Sequence, residues 1–135
     1  MKVRLDQHAK NALVVANYLK NHPRVNEVVY PGLKEGPQKE LIEKQVKGFN
    51  GLMSFTLKGT AEEAMKFIDS LQYFLRGCSW GGFESLVVPF TVGTTEEYNE
   101  MLECPANLIR LHVGLENPEM LIADLEQAFG KISEN

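Results

Sequence analysis

The hydrophobic period of this chain keeps changing between that of a helix and that of a strand, and few folds accommodate so many short alternations. From Asp6 to about Asn21 the residues Ala9, Ala12, Leu13, Ala16 and Leu19 recur at helical spacing, until His22-Pro23 ends the pattern. Val25 to Tyr30 is rich in Val and closed by Pro31-Gly32, which predicts a strand running into a loop through Pro37. Gln38 to Lys47 reads as a short charged helix, and after Gly48 the set Leu52, Ser54, Thr56 alternates with Met53, Phe55, Leu57 as in a strand with one wetter face. Thr60 and Glu63 have the spacing of a capping box in front of Ala64, Phe67, Ile68 and Leu71, predicting a second strong helix. Tyr73 to Cys78 is expected to return as a strand, Ser79-Trp80-Gly81-Gly82 to turn, and Phe83 to Val88 to extend until Pro89. Thr94 with Glu97 is expected to cap a helical turn through Leu102, which Cys104-Pro105 ends. Leu108 to Val113 alternates again, with Ile109, Leu111 and Val113 on one face and Leu108, Arg110 and His112 on the other. Asn117-Pro118 supplies an N-cap and a favoured first helical residue for a last helix with Leu121, Ile122, Leu125, Ala128 and Phe129 as its stripe. The pattern predicts a small sheet with helices on one face, and leaves the strand directions open.

Composition narrows the function classes. With 135 residues, 44% of them hydrophobic and 24% charged, the chain is expected to fold as one domain, residues 1–135. Fourteen Lys plus Arg against eighteen Asp plus Glu give a net charge of −4, without the basic footprint of a nucleic-acid binder. The longest purely apolar runs, such as Ala12 to Ala16, fall far short of the roughly 20 residues a membrane span needs. Charges at Lys2, Arg4 and Asp6 with no apolar stretch after them do not form a secretory signal, so a cytoplasmic protein is expected.

Few residues carry chemistry. His8, His22 and His112 sit in different elements with no partner at a metal-ligand spacing, so no metal site is expected. Cys78 and Cys104 are too far apart for a CxxC motif and read as two buried free thiols. Gly81-Gly82 lacks the context of a phosphate loop and reads as a tight turn. Arg110 interrupts an apolar strand: it is either an exposed strand arginine or a guanidinium fork for a carboxylate, a task lysine does poorly. Trp80, the single tryptophan, either lies partly buried over the sheet edge or walls a pocket.

Two stretches, Ser79-Trp80-Gly81-Gly82-Phe83-Glu84-Ser85-Leu86 and Leu108-Ile109-Arg110-Leu111-His112-Val113-Gly114-Leu115-Glu116, resemble the signatures of the C-terminal domain of the Cys/Met-metabolism PLP enzymes. Supporting text runs almost end to end, through His8 to Leu19, His22 to Leu33, Gly48 to Gly59 and Leu121 to Phe129. Within the family the SWGG and LIRLHVGLE forms are most similar to the cystathionine beta-lyases; the gamma-synthases and gamma-lyases more often carry SLGG. The resemblance implies an α+β fold, the small C-terminal domain of a fold-type I (aminotransferase-like) PLP enzyme, with a mainly antiparallel sheet and helices packed on one face. It implies that Ser79 and Arg110 grip the α-carboxylate of the substrate and that Trp80 lines the pocket beside it.

The same resemblance implies a cytosolic trans-sulfuration lyase of methionine biosynthesis, cleaving cystathionine by β-elimination to homocysteine, pyruvate and ammonia, with pyridoxal phosphate as cofactor and a homotetrameric parent. No lysine lies in the family's Ser-x-Thr-Lys context, and Lys58 in Thr-Leu-Lys-Gly is no match. The expectation is therefore that the cofactor belongs to an N-terminal PLP-binding domain absent from these residues, that no catalytic or cofactor-binding residue lies here, and that the chain alone is inactive. The alternatives are the same domain of a gamma-synthase, gamma-lyase or O-acylhomoserine sulfhydrylase, a stand-alone amino-acid-binding regulatory module using Arg110, and a structural oligomerisation domain.

Overall fold

The computed structural model describes residues 1–91 and 94–133. In chain order its elements are α1 (Lys2–Asn21), β1 (Val25–Val29), a 3-10 turn (Pro31–Leu33), α2 (Lys39–Gln45), β2 (Leu52–Leu57), α3 (Ala61–Ser70), β3 (Leu75–Arg76), β4 (Leu86–Pro89), α4 (Glu96–Met101), β5 (Leu108–His112) and α5 (Pro118–Ser133). Five strands form one sheet in the order β1-β2-β5-β4-β3. Every pairing is antiparallel except that of β3 with β4, which is parallel. The fold is α+β.

Alternation decides which side of the sheet is covered. Met53, Phe55, Leu57, Val87, Ile109, Leu111 and Val113 are buried together with the apolar stripes of α1, α3 and α5, while Ser54, Val88 and Arg110 share the next register row and point the other way. An aromatic chain ties the layers: Phe55 meets Phe67 edge-on at 5.9 Å, Phe67 meets Phe129 at 4.6 Å, and Phe129 stacks on His22 at 3.8 Å.

The cap on α3 forms as its spacing predicts, with Thr60 Oγ1 accepting from Glu63 N at 3.1 Å and the Glu63 carboxylate accepting from Thr60 N at 2.8 Å. That backbone bond, then the Arg24 guanidinium at 3.1 Å, holds the Glu63 carboxyl below its ordinary range. Its contribution is present at neutral pH and is lost as the pH falls through the carboxylate range. Thr60→Ala is expected to lower the unfolding free energy by about 1 kcal/mol, read from the shift of the urea midpoint.

Several boundaries differ from the sequence expectations. Helix α1 starts at Lys2 rather than Asp6; its first turn points Val3 and Leu5 outward and so adds nothing to the apolar stripe. The strand expected over Tyr73 to Cys78 shrinks to Leu75–Arg76, because the amides of Gln72, Tyr73 and Phe74 donate to the Asp124 carboxylate instead of a ladder. The extension expected from Phe83 becomes a strand only at Leu86, since Ser85 N is taken by the Glu116 carboxylate and Phe83 O by Leu115 N. The cap of α4 is Thr95, whose hydroxyl accepts from Tyr98 N at 3.2 Å; Thr94 is used in a turn, its hydroxyl donating to Thr91 O at 3.0 Å.

Candidate functional site

Strand β5 is the middle of the sheet, and its alternation brings Arg110 out on the face the helices leave uncovered. The guanidinium lies half-buried in a cavity of about 420 Å³ whose walls include Phe49, Leu52, Phe90 and Leu108. Its Nη1 donates to Cys78 Sγ at 3.1 Å and its Nη2 to Ser79 O at 3.4 Å. Arg24 and Arg76 each face a carboxylate, Glu63 and Asp69, whereas among the described residues the acceptors of the Arg110 guanidinium are a thiol and a distant carbonyl. A thiol is a weak acceptor, and the carbonyl at 3.4 Å is beyond the usual hydrogen-bond distance. A planar fork in this state suits a carboxylate, which takes two parallel, charge-assisted hydrogen bonds and replaces both weak ones.

The structure brings Ser79 and Arg110 together across 31 positions of sequence, and Ser79 is exposed beside the guanidinium. Trp80 behaves differently. It is 65% exposed rather than tucked over the sheet edge, because the glycine turn projects it outward, and it lines a separate cavity of about 480 Å³ with Arg4, His8 and His112. Both cysteines are free, but they are not the buried pair expected: Cys78 is exposed and Cys104 partly so. Cys78 lies two residues beyond β3, immediately before the turn, with its sulfur against Arg110.

The two sequence signatures owe much of their wording to a buried scaffold under the turn. Fully buried Ser85 donates its backbone N–H to Glu116 Oε1 at 2.7 Å and its hydroxyl to Glu116 Oε2 at 2.8 Å, and accepts from Gly114 N at 2.9 Å. Asn11 of α1 donates to the carbonyls of Gly114 and Glu116 at 3.0 and 2.9 Å. A Cβ on Gly114 would fall 2.2 Å from Phe83 O, so only glycine fits where these segments cross.

The sequence pattern gave no sign that His8 and His112, 104 residues apart, share one site. Their rings lie 5.1 Å apart, both buried. No group of three metal-binding side chains exists among the described residues. Pyridoxal phosphate needs a lysine for its aldimine, and here every lysine is exposed and none lines the cavity around Arg110. The residues present do not seat the cofactor, and no step of its chemistry is assigned to them.

A family model described as Cys/Met metabolism PLP-dependent enzyme matches residues 1–130. The chain is similar to cystathionine gamma-lyase of Dictyostelium discoideum, 38% identical over 97% of this chain and 35% of that protein. It is likewise similar to human cystathionine gamma-lyase, 39% identical over 95% of this chain and 33% of that protein. L-methionine gamma-lyase of Fusobacterium nucleatum is 38% identical over 97% and 34%. Among solved structures, an O-acetylhomoserine (thiol)-lyase of Campylobacter jejuni, which carries a pyridoxyl-lysine monophosphate, superposes with a TM-score of 0.86 at 36% identity, covering 96% of this chain and 32% of that one. The chain thus spans about a third of the length of the relatives it matches. A family model that runs over nearly every residue, and a fold shared with a member that holds the cofactor, place the chain in the Cys/Met-metabolism PLP-dependent enzyme family.

Proposed function

We propose that this chain is the substrate-carboxylate-binding domain of a PLP-dependent lyase that breaks the C–S bond of a sulfur amino acid. The observation that carries the reading is Arg110: a half-buried guanidinium on the open sheet face, held by a thiol and a backbone carbonyl and facing a turn that presents Ser79. Its role is orientation. A carboxylate fixed bidentately leaves the amino acid one rotation, so the bonds at Cα meet the reactive groups in a set direction. Pyridoxal phosphate supplies the electron sink when bound. Its lysine and phosphate cup belong, in this reading, to a larger PLP-binding domain in the two thirds of the relatives' length that this chain does not cover, and the working enzyme is an oligomer.

Two readings of the cleavage stand. Trp80 in the turn supports β-elimination of cystathionine, giving homocysteine, pyruvate and ammonia, whereas the names of the relatives support γ-elimination, giving cysteine, 2-oxobutyrate and ammonia. The test completes the chain with a PLP-binding domain of the family, adds cystathionine, and measures thiol release and the 2-oxo acid. Turnover supports the proposal, and pyruvate or 2-oxobutyrate decides the position of cleavage. A well-folded complex that binds pyridoxal phosphate but releases no thiol overturns it.

A further inference from the structure

The turn that carries Ser79 and Trp80 is exposed, and at Gly81 a side chain would meet nothing within 4 Å, so packing does not hold it in place. Gly81 also has φ +81°, a left-handed conformation that glycine adopts without strain. Two hydrogen bonds hold its backbone instead. Gly81 N donates to His112 Nε2 at 3.2 Å, and Gly81 O accepts from Arg4 Nη2 at 2.8 Å.

The first of these bonds is in step with the carboxylate site. Ser79 meets Arg110 and Gly81 meets His112, each pair separated by 31 positions, so the turn runs beside β5 and is gripped twice, two residues apart. Residues two apart on a strand share a face, so the same alternation that exposes Arg110 brings His112 under the turn. His112 is only 3% exposed although the turn above it is open. Its ring fits because Gly51 has no side chain: a Cβ there would lie 3.1 Å from the imidazole and 2.1 Å from Val113 O.

We propose that His112, assisted by Arg4, is a positioning residue of the carboxylate site: its Nε2 lone pair takes the Gly81 N–H and so fixes the Ser79–Gly82 turn against Arg110. The purpose rests on the carboxylate reading of Arg110, but the contact itself does not. His112 Nε2 lies 3.2 Å from Gly81 N and 3.4 Å from Gly82 O, and we take the shorter contact, which sets a tautomer. With Nε2 accepting from Gly81 N, the ring proton sits on Nδ1, which has no partner among the described residues. His8 next to it donates from Nδ1 to Val113 O at 2.9 Å, and its Nε2 has no partner among the described residues. A proton added to His112 would go to Nε2, opposite the Gly81 N–H, and would break the contact.

Arg4 and His8 of α1, Arg110 of β5 and Glu84 beyond the turn surround the ring. Burial first, and the charges of His8 and Arg110 after it, hold His112 below the ordinary imidazole range, against the opposing pull of the Gly82 carbonyl and Glu84. For a histidine shifted this way, the contact is intact above the ordinary value and is lost as the pH falls below it.

Trp80, the single tryptophan and the residue before Gly81, reports on the turn in the unaltered chain. Its emission is expected to stay constant from pH 8 to about the ordinary imidazole value of 6.5 and to change below it. His112→Gln, whose amide oxygen reaches the Nε2 position and does not titrate, is expected to keep the emission and the Gly81 amide shift of the parent and to abolish the pH transition. His112→Met is expected to change both at pH 8 and to speed Gly81 amide exchange by about tenfold, the worth of one hydrogen bond. Long-range ¹H–¹⁵N spectra of the parent are expected to show His112 protonated at Nδ1. A proton on Nε2, or a folded His112→Met chain with unchanged Trp80 emission and Gly81 exchange, overturns the proposal. If His112→Met does not fold, the tautomer and the His112→Gln titration decide it. These readouts use no substrate, so an intact turn that fails to bind a carboxylate sinks the function proposed for Arg110 and leaves this contact standing.

Discussion

Replacing Arg110 with alanine in the completed enzyme is expected to lower kcat/KM for the amino-acid substrate by roughly 30-fold to several thousandfold, the range that follows from losing about 2–5 kcal/mol with one partner of a desolvated charge pair. The fold itself should hardly respond. Among the described residues the Arg110 guanidinium is bonded to Cys78 Sγ and Ser79 O and to no carboxylate, so its removal strands no buried carboxylate there and leaves the backbone ladder of β5 intact. Arg110→Lys is expected to restore little, because an ammonium keeps the charge but not the fork that sets the direction of the carboxylate. Loss of orientation should appear in kcat as well as KM, whereas a purely electrostatic attraction would leave kcat unchanged. Steady-state kinetics of the three proteins, with urea unfolding of each chain as control, checks this. An Arg110→Lys enzyme within twofold of the parent would sink the bidentate role.

The largest effect on stability is expected at Asp124. This carboxylate on α5 is 3% exposed and caps three consecutive amides: Oδ1 accepts from Gln72 N at 2.8 Å, and Oδ2 from Tyr73 N at 2.8 Å and Phe74 N at 3.2 Å. Gln127 adds a fourth donor at 3.0 Å. Each bond to a charged acceptor contributes about 1.5–3 kcal/mol, and an amide left unpaired in a buried place is penalised by a similar amount. Gln72 and Tyr73 are exposed enough for water to replace part of the loss, so Asp124→Ala is expected to lower the unfolding free energy by about 3–5 kcal/mol, a large fraction of what a domain has. Asp124→Asn keeps one acceptor oxygen but turns an NH₂ toward donors, and should fall between. Urea unfolding measures both; a loss below about 1 kcal/mol for the alanine variant would mean that the three amides find other partners.

The capping box at Thr60 and Glu63, the burial of Ile109, Leu111 and Val113, and the opening of α5 at Asn117-Pro118 were all legible in the chain, because each depends on residues a few positions apart. Arg110 was legible as the odd residue of an apolar strand. Its partner Cys78 was not, since a cysteine in a strand pattern looks like a small apolar residue until the chain path puts a guanidinium beside it. Asp124 was hidden for a related reason: it sits three positions after Leu121, on the apolar side of α5, and nothing nearby in sequence reveals the amides it serves.

The sequence by itself determined the order and type of the main helices and strands, which faces are apolar, and the family, because periodicity, caps and contiguous signatures are local properties of the chain. Only the tertiary structure decided that Gly81 is gripped by His112 and Arg4, that Ser85 and Glu116 lock the two signatures together, and that the amides of residues 72–74 go to Asp124 rather than to a strand. Backbone amides and carbonyls are the same at every position, so a sequence names the groups that can bond to them but not which will. That choice depends on where residues 31 to 77 positions apart are brought within about 3 Å by burial of the common core.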